Sequence, residues 1–593
     1  MKKIVINKIE DIKKIISRKD DDVSIINFPI YLNDIVTPFI NSSENKNSFN
    51  LISKILRASI NTLSDGGVMF IYGSPIQLIK SFEVVSNEMK FRHWISIDVV
   101  DSIEKTSTDH LKNNHLGVLM LTKGDKYFIN PGNVRIPYIG CSACFRNIRD
   151  WGGKKHLMNN KGSAVSDVWR DFFKVEETRI DPDNELINLN IIDSTKINFN
   201  FSGEEIPKPI IERIISLVEK ENIIITNYSI SKEVIKPLNK ISSKNGQDEK
   251  TKEIIINDDV IDKVLLGDCI EQMEELLVKY PNGVFDLVFA DPPYNLSKEY
   301  KIYDDTLASK EYIEWCNKWL ELCVKLTKPS GSIFVLNIPK WALYHAQLLN
   351  RVSYFQDWIV WDSLSTPKGK IMPSHYALLH YSKSAASTTF NFPGFIDSPE
   401  YCIRSSCIQA RKKSTSPSLF AENNERLNRT QSISNIWSDL HRIKHKKDRD
   451  DHPCQLPNKL MDRIIKVYSN KGDLVFDPFA GAGTTAIRAI INERHYTTIE
   501  IDPYYKEITE KKLEEVKLNG DIKRKVTNKK NKSIYTKKEL ELKSQKLATE
   551  LGRKPTMEEF INTYALDASQ IELLYSDPIN VLKVGRIGLL NSR

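Results

Sequence analysis

The chain of 593 residues carries 85 Lys and Arg against 77 Asp and Glu, a net charge of +8, and is 40% hydrophobic. That length predicts two to four domains, and the balance of apolar and charged residues predicts a soluble globular protein rather than a disordered one. No run of about 18 apolar residues occurs and the Met-Lys-Lys start opens a charged segment, so a membrane span and a secretion signal are not expected; the eight scattered cysteines do not form a disulfide framework, and a reducing, cytoplasmic setting is expected.

Taken in chain order, SIINFPIYLND (24–34) runs like a buried strand and turns out at a proline and a tyrosine. Further segments then recur in pairs. LSDGGVMFIYGSP (63–75) is answered by LTKPSGSIFVLNIP (326–339), FRHWISID (91–98) by FQDWIVWD (355–362), and HLGVLMLTK (115–123) by HYALLHYSK (375–383). VWRD (168–171) is answered by IWSD (436–439), and IPKPIIERII (206–215) by LPNKLMDRII (456–465). Five collinear matches predict a duplicated domain. Polar stretches at 239–253 and 517–532 read as linkers, dividing the chain into 1–238, 254–516 and 533–593. On this spacing Phe28-Pro29-Ile30-Tyr31 falls opposite Asp291-Pro292-Pro293-Tyr294.

The second copy carries the chemistry. VFDLVFADPPYNLS (284–297) is a strand-like apolar run ending in an acid, two prolines and an aromatic. A carboxylate there stands at the carboxyl end of a sheet strand, where open α/β sheets bind ligands, and the prolines forbid further pairing. GDLVFDPFAGAGTTAIRA (472–489) is a second strand ending at Asp477, followed by a small-residue turn in which Gly481 and Gly483 permit close backbone approach, and by a helix opened by Thr484-Thr485. TTIEID (497–502) supplies Glu500, 17 residues after Gly483, near the spacing at which an acid grips ribose hydroxyls. Strand, turn, helix, strand and acid together predict a nucleoside-bearing cofactor.

These residues resemble the S-adenosylmethionine-dependent DNA amino-methyltransferases of the permuted, or beta, class. The matching pieces are Gly-Asp-Cys at 267–269, DPPY at 291–294, HPCQLPNKLMDRII at 452–465 and DPFAGAGTT at 477–485, over about residues 265–510. The resemblance implies an α/β protein of two tandem Rossmann-like methyltransferase domains, the first degenerate, with a small α-helical domain after them. It implies that Asp291, Pro292, Pro293 and Tyr294 act on an extruded base. Asp268, Cys269, His452, Gln455, Lys459, Asp477, Phe479, Gly481, Gly483, Thr484, Thr485 and Glu500 are implied to hold S-adenosylmethionine. The sequence departs from the family at Cys454 and Leu456, and at Tyr376, where an acid more often follows the His of a Ser-His-Glu segment. In the first copy IIITNYSISKEV (223–234) stands where the glycine turn belongs and holds no glycine, so both cofactor and catalysis are expected to be lost there, leaving an intramolecular pseudo-dimer.

Residues 384–451 are polar, basic and irregular, which is where this class reads its target. Arg404, Arg411, Lys412, Lys413, Arg442, Lys444 and Lys447 are the candidate contacts to double-stranded DNA. The tail at 548–588 reads as short helices, with Gly552 ending one and Thr556 and Glu559 capping the next, and resembles the helix-turn-helix repeats appended to homing endonucleases. Cys402 and Cys407, with Cys141 and Cys144 in the matching region of the first copy, are candidate zinc ligands, but the 402/407 spacing is poor and no His pairs follow at finger spacing, so buried thiols are expected, with no metal. Adenine N6 is the expected target; N4 of cytosine, a non-catalytic DNA-binding scaffold, and RNA or protein glutamine as substrates are the alternatives. Pro453-Cys454 imitates the nucleophile of cytosine-C5 enzymes but precedes the glycine turn, the reverse of that family's order. A cognate restriction endonuclease is a possible partner.

Overall fold

The computed structural model describes residues 2–6, 21–27, 43–98, 110–136, 138–140, 159, 162–170, 175–180, 186–191, 206–218, 223–228, 258–297, 305–363, 370–384, 388–391, 395–397, 430–440, 456–519, 537–564, 571 and 581–582. The chain divides into two compact units, residues 1–520 and 521–593.

Two sheets organise the first unit. One is formed by β1 (Lys2–Ile6), β2 (Asp21–Asn27), β3 (Leu63–Gly73), β4 (Lys90–Asp98), β5 (His115–Thr122), β6 (Val168–Trp169) and β7 (Ile223–Tyr228), in the order β1-β7-β2-β3-β5-β4-β6. The other is formed by β8 (Lys263–Leu266), β9 (Phe285–Ala290), β10 (Thr327–Asn337), β11 (Tyr354–Asp362), β12 (His375–Ser382), β13 (Ile436–Trp437), β14 (Leu474–Asp477) and β15 (His495–Glu500), in the order β8-β15-β14-β9-β10-β12-β11-β13. From β7 and β14 onward the two orders agree strand for strand. The senses agree as well: parallel through β3 and β10, antiparallel at the next two pairings, parallel at the last.

The strands read as unbroken apolar runs because parallel sheets are covered on both faces. Leu287, Val288, Phe289 and Ala290 of β9 are all 0% exposed. Helices α1 (Ser43–Thr62), α2 (Pro75–Val85) and α3 (Lys208–Val218) accompany the first sheet in sequence. The second has α4 (Cys269–Lys279), α5 (Ser309–Leu326), α6 (Pro339–Val352), α7 (Asn458–Tyr468), α8 (Thr484–Ile491) and α9 (Pro503–Asn519). On α5, Tyr312, Cys316, Trp319, Leu320 and Cys323 recur at helical spacing and are all fully buried.

The sheets meet through matching elements. Trp94 of β4 stacks on Trp358 of β11 with centroids 3.8 Å apart and planes 4° from parallel, and Phe82 of α2 meets Tyr344 of α6 edge-on at 5.2 Å. Lys112 donates its N–H to the Ile433 carbonyl (3.0 Å) and accepts from Asn435 (3.0 Å). Met372 donates to Val165 (3.0 Å) and accepts from Asp167 (3.1 Å), repeating the same exchange with the halves interchanged. Such reciprocity is the signature of an isologous contact. One hydrophobic core accordingly contains both Trp94 and Trp358.

The second unit holds α10 (Lys537–Leu551) and α11 (Met557–Tyr564), packed around Leu540, Leu547, Phe560, Ile571, Val581 and Leu582. Gly552, at φ +65°, ends α10 in the left-handed region. Thr556 and Glu559 form the expected capping box: the Thr556 N–H donates to Glu559 Oε2 (2.8 Å) and the Glu559 N–H to Thr556 Oγ1 (3.2 Å). The rest of the tail expected to be helical, beyond Tyr564, falls largely outside the described residues. Among the described residues, no helix is long and apolar enough to cross a membrane, and no group of three metal-ligating side chains occurs.

Candidate active site

Four adjacent parallel strands of the second sheet end in one row. Leu266 of β8 pairs with Glu500 of β15, Asp477 of β14 with Thr498 of β15, and Val288 of β9 with Phe476 of β14. With neighbouring strands about 4.8 Å apart, Asp268, Glu500, the turn after Asp477 and Asp291 all emerge along the carboxyl edge of the sheet. This edge is where an open α/β sheet takes its ligand.

The turn after β9 is held from several sides. The Tyr294 hydroxyl donates to Asp291 Oδ1 at 2.6 Å, so the phenol orients the carboxylate. Tyr312 of α5 donates its hydroxyl to the Pro293 carbonyl (2.5 Å), and Trp341 of α6 donates its indole N–H to the Tyr294 carbonyl (2.8 Å). Buried Asn337, at the end of β10, donates to the Tyr312 oxygen at 3.3 Å. Asn295 follows at φ +51°, a left-handed conformation that asparagine tolerates better than most residues. Asp305, 2% exposed, accepts the N–H groups of Asn295 (2.7 Å) and Leu296 (3.0 Å), offsetting the cost of that bend. Tyr376 lies against Tyr294 with centroids 5.8 Å apart, and Trp361 lies 5.3 Å beyond it. These supports come from residues remote in sequence, and only Tyr376 carried a signal there.

Asp477 is 3% exposed and turns both oxygens inward: Oδ1 accepts the Phe479 N–H (2.8 Å) and Oδ2 the Thr485 hydroxyl (2.5 Å). It fixes the glycine turn from beneath. Gly483, at φ +79°, begins α8, and a Cβ there would lie 2.4 Å from Thr509 Cγ2 on α9. Gly481, at φ +51°, donates its N–H to Glu500 Oε2 (2.8 Å), while Glu500 Oε1 accepts from Asp502 (3.0 Å). Burial pushes the Asp477 carboxyl up to about 6 and that of Glu500 up to about 7. Thr484 is partly exposed at the helix start and Thr485 is buried. Phe479 is partly buried on the same core, edge-on to Trp319 at 5.1 Å and tilted to Trp315 at 5.8 Å. The glycine turn is thus braced by the helix that holds the turn after β9.

Asp268 caps α4, its Oδ1 accepting from Ile270 (2.8 Å) and Glu271 (3.3 Å). The neighbouring Cys269 side chain is 7% exposed and belongs to the core, and burial pushes the thiol well above its ordinary range. Lys459 is exposed in the first turn of α7. His452 and Gln455, the basic residues Arg404, Arg411, Lys412, Lys413, Arg442, Lys444 and Lys447, and the four cysteines at 141, 144, 402 and 407 lie outside the described residues.

Strand pairing supplies the matching positions in the first sheet. Ala290 pairs with Val335 in the second sheet and Ile26 with Ile71 in the first, so the position level with Asp291 is Asn27, not Phe28. By the same pairings Ile225 of β7 stands level with Asp477 and Val5 of β1 with Glu500. No carboxylate occupies any of the three positions.

A protein-family model described as DNA methylase matches residues 285–511. The type II methyltransferase M.BamHI of Bacillus amyloliquefaciens is 31% identical over 329 residues, covering 53% of this chain and 70% of that protein. The DNA adenine methyltransferase YhdJ of Escherichia coli K12 is 29% identical over 246 residues, covering 41% of this chain and 79% of that protein. Among solved structures, the M1.HpyAVI–SAM complex aligns at 20% identity over 42% of this chain and 97% of that one, with a TM-score of 0.30. With DPPY and the glycine turn at the ends of neighbouring strands, and M.BamHI 31% identical and matched over 70% of its length, the chain belongs to the N6/N4 DNA methylase family.

Proposed function

We propose that the chain methylates the N6 amino group of adenine at specific sites in double-stranded DNA, using S-adenosylmethionine, in a restriction-modification or epigenetic role. The observation that carries the reading is the adjacency of β9 and β14, which sets Asp291 and the 477–485 turn side by side on one edge. The residues there suit the cofactor chemically. Asp268 and Glu500 offer acceptors at neighbouring strand ends to ribose and adenine donors, Phe479 offers an aromatic face, and the start of α8 offers backbone donors. When bound, S-adenosylmethionine supplies an electrophilic methyl group on a sulfonium.

The chain's own residues do the rest. An aromatic amino nitrogen is a poor nucleophile because its lone pair is delocalised into the ring. Asp291 accepts one amino N–H and the Pro292 carbonyl the other, which localises the lone pair and stabilises the positive charge that develops on the nitrogen. The target atom is unreachable inside a duplex, so the base must be extruded, and Tyr294 and Tyr376 offer it aromatic surface. Aspartate at 291 and the likeness to YhdJ support adenine over cytosine.

In this reading residues 1–238 are a methyltransferase-like copy that has lost its chemistry, and Asn27, Ile225 and Val5 at the three acid positions support that. Residues 384–451 read the target, and the unit at 521–593 adds a helix-turn-helix-like DNA contact. The test is expression in a methylation-free host followed by single-molecule sequencing of the DNA. A consistent N6-methyladenine mark that vanishes in Asp291→Ala supports the reading. A mark on cytosine N4 corrects the base, and an unmodified genome with intact expression overturns the activity.

A further inference from the structure

We infer that the first half completes the active site of the second, with Asp167 acting as a positioning residue for the wall that Tyr376 presents to the extruded base. The inference rests on the amino-methyltransferase reading above. Asp167, 4% exposed, reaches across the contact between the sheets. Its Oδ1 accepts both the Ser374 N–H (2.8 Å) and the Ser374 hydroxyl (3.0 Å). His375 Nδ1 lies 3.1 Å from the same oxygen, and its Nε2 lies 3.4 Å from Ser96 Oγ, also of the first half. One carboxylate from the first half therefore fixes Ser374 by two hydrogen bonds and stands beside His375, and the next residue is Tyr376, whose ring meets Tyr294.

The reciprocal contact shows what is particular to this side. Asn435 of the second half accepts the Asn114 N–H at 2.9 Å, the counterpart of the bond from Ser374 to Asp167. There the holding group is a neutral amide. The residue matching Tyr376 is Leu116, since Trp361 pairs with Tyr376 as Ile97 pairs with Leu116, and Leu116 is 1% exposed within the core. Both arrangements hold the two halves together, but only the Asp167 side ends in an aromatic ring beside DPPY. A carboxylate is also the stronger acceptor.

The test compares Asp167→Ala, Asp167→Asn, Tyr376→Ala and the double variant Asp167→Ala/Tyr376→Ala in the full-length chain, by single-turnover methylation and by S-adenosylmethionine binding. Asp167→Ala should slow methyl transfer about 10- to 100-fold, the scale of a small misplacement, with the S-adenosylmethionine dissociation constant unchanged. Asp167→Asn, which keeps the acceptor used on the reciprocal side, should recover most of the rate. The double variant should be no slower than Tyr376→Ala, because Asp167 acts through that ring. Losses that multiply, or a wild-type rate in Asp167→Ala, overturn the inference while leaving the methyltransferase reading intact. A wild-type protein that methylates no DNA defeats both. Should Asp167→Ala fail to fold, Tyr376→Leu carries the test with the residue native to the reciprocal position: a slowed transfer at unchanged cofactor affinity supports the inference and a wild-type rate overturns it.

Discussion

Gly483→Ala tests the proposed cofactor turn most directly. At φ +79° the residue is left-handed, which costs an alanine about 1–2 kcal/mol. Its Cβ would also lie 2.4 Å from Thr509 Cγ2, 2.7 Å from Oγ1 and 3.0 Å from Cβ, and Thr509 is fully buried on α9. Overpacking of that kind costs about 1–3 kcal/mol, so the strain totals about 2–5 kcal/mol. If the turn stays in place the strain appears as lost stability in urea unfolding. If the turn lifts away from Thr509 it appears as weaker S-adenosylmethionine binding, tenfold for each 1.4 kcal/mol. Titration calorimetry and denaturation on the same preparation account for the whole. Adding Thr509→Ala removes the two nearest atoms and should restore about 1–3 kcal/mol, leaving the backbone share. Wild-type affinity and stability in Gly483→Ala, or no recovery on adding Thr509→Ala, would refute the close-packing argument.

Glu500 and Asp477 give a pH dependence of definite sign. Burial pushes their carboxyls up to about 7 and about 6 in the folded chain, above the ordinary 4.5 and 3.8, so the folded state binds protons more tightly than the unfolded chain. The stability each confers is complete below its unfolded value and is lost as pH rises through its folded value, on the order of 3 kcal/mol for either group. Glu500→Gln should gain on wild type between pH 5 and 7 in urea unfolding, and a difference flat with pH would contradict the burial argument. Trp94→Ala should destabilise the first unit by about 3–5 kcal/mol, since it empties the stack on Trp358 and leaves His115 Nε2 without the indole donor, and a loss under about 1 kcal/mol would show that the contact between the sheets is slack. Thr556→Ala should cost the second unit about 1 kcal/mol by removing the cap on α11, read from the melting of that segment alone.

Much of the second sheet was legible because its strands are short, apolar and ended by residues that cannot continue a ladder. VFDLVFA before DPPY and DLVFDP before AGAG announce two strand ends, and both acids lie where parallel strands finish. The same letters say less about burial. Asp477 was expected at the cofactor, yet burial commits its two oxygens to Phe479 and Thr485, as suits an acid that must hold a turn of glycines. Cys269 follows a capping aspartate, and the first turn of α4 rotates it into the core. Tyr312 and Asp305 were invisible for another reason. Their partners, Pro293 and Asn295, lie 19 and 10 residues away, and no periodicity relates a helix side chain to a turn it packs beneath.

The one-residue difference between Phe28 and Asn27 has a physical origin with consequences for the first half. Matching FPIY to DPPY aligns the Pro and Tyr of two turns, whereas the level of a strand end is set by its neighbours in the sheet. β2 is pinned to β3 through Val23 and Val68, as β9 is pinned to β10 through Leu287 and Ser332, and this pairing sets Asn27 level with Asp291. An amide at that level can still accept a hydrogen bond, but it brings no negative charge to a nitrogen becoming cationic. A single Asn27→Asp exchange therefore restores only the charge. Ile225 cannot hold a turn as Asp477 does, and Val5 offers no oxygen where Glu500 stands. If the first half is a spent copy, three separate acids must return before it binds cofactor and transfers a methyl group, while the apolar registers that make its sheet and its contact with the second sheet are intact. Selection on such a half would act through the contact, and Asp167 is where that contact reaches the neighbouring site.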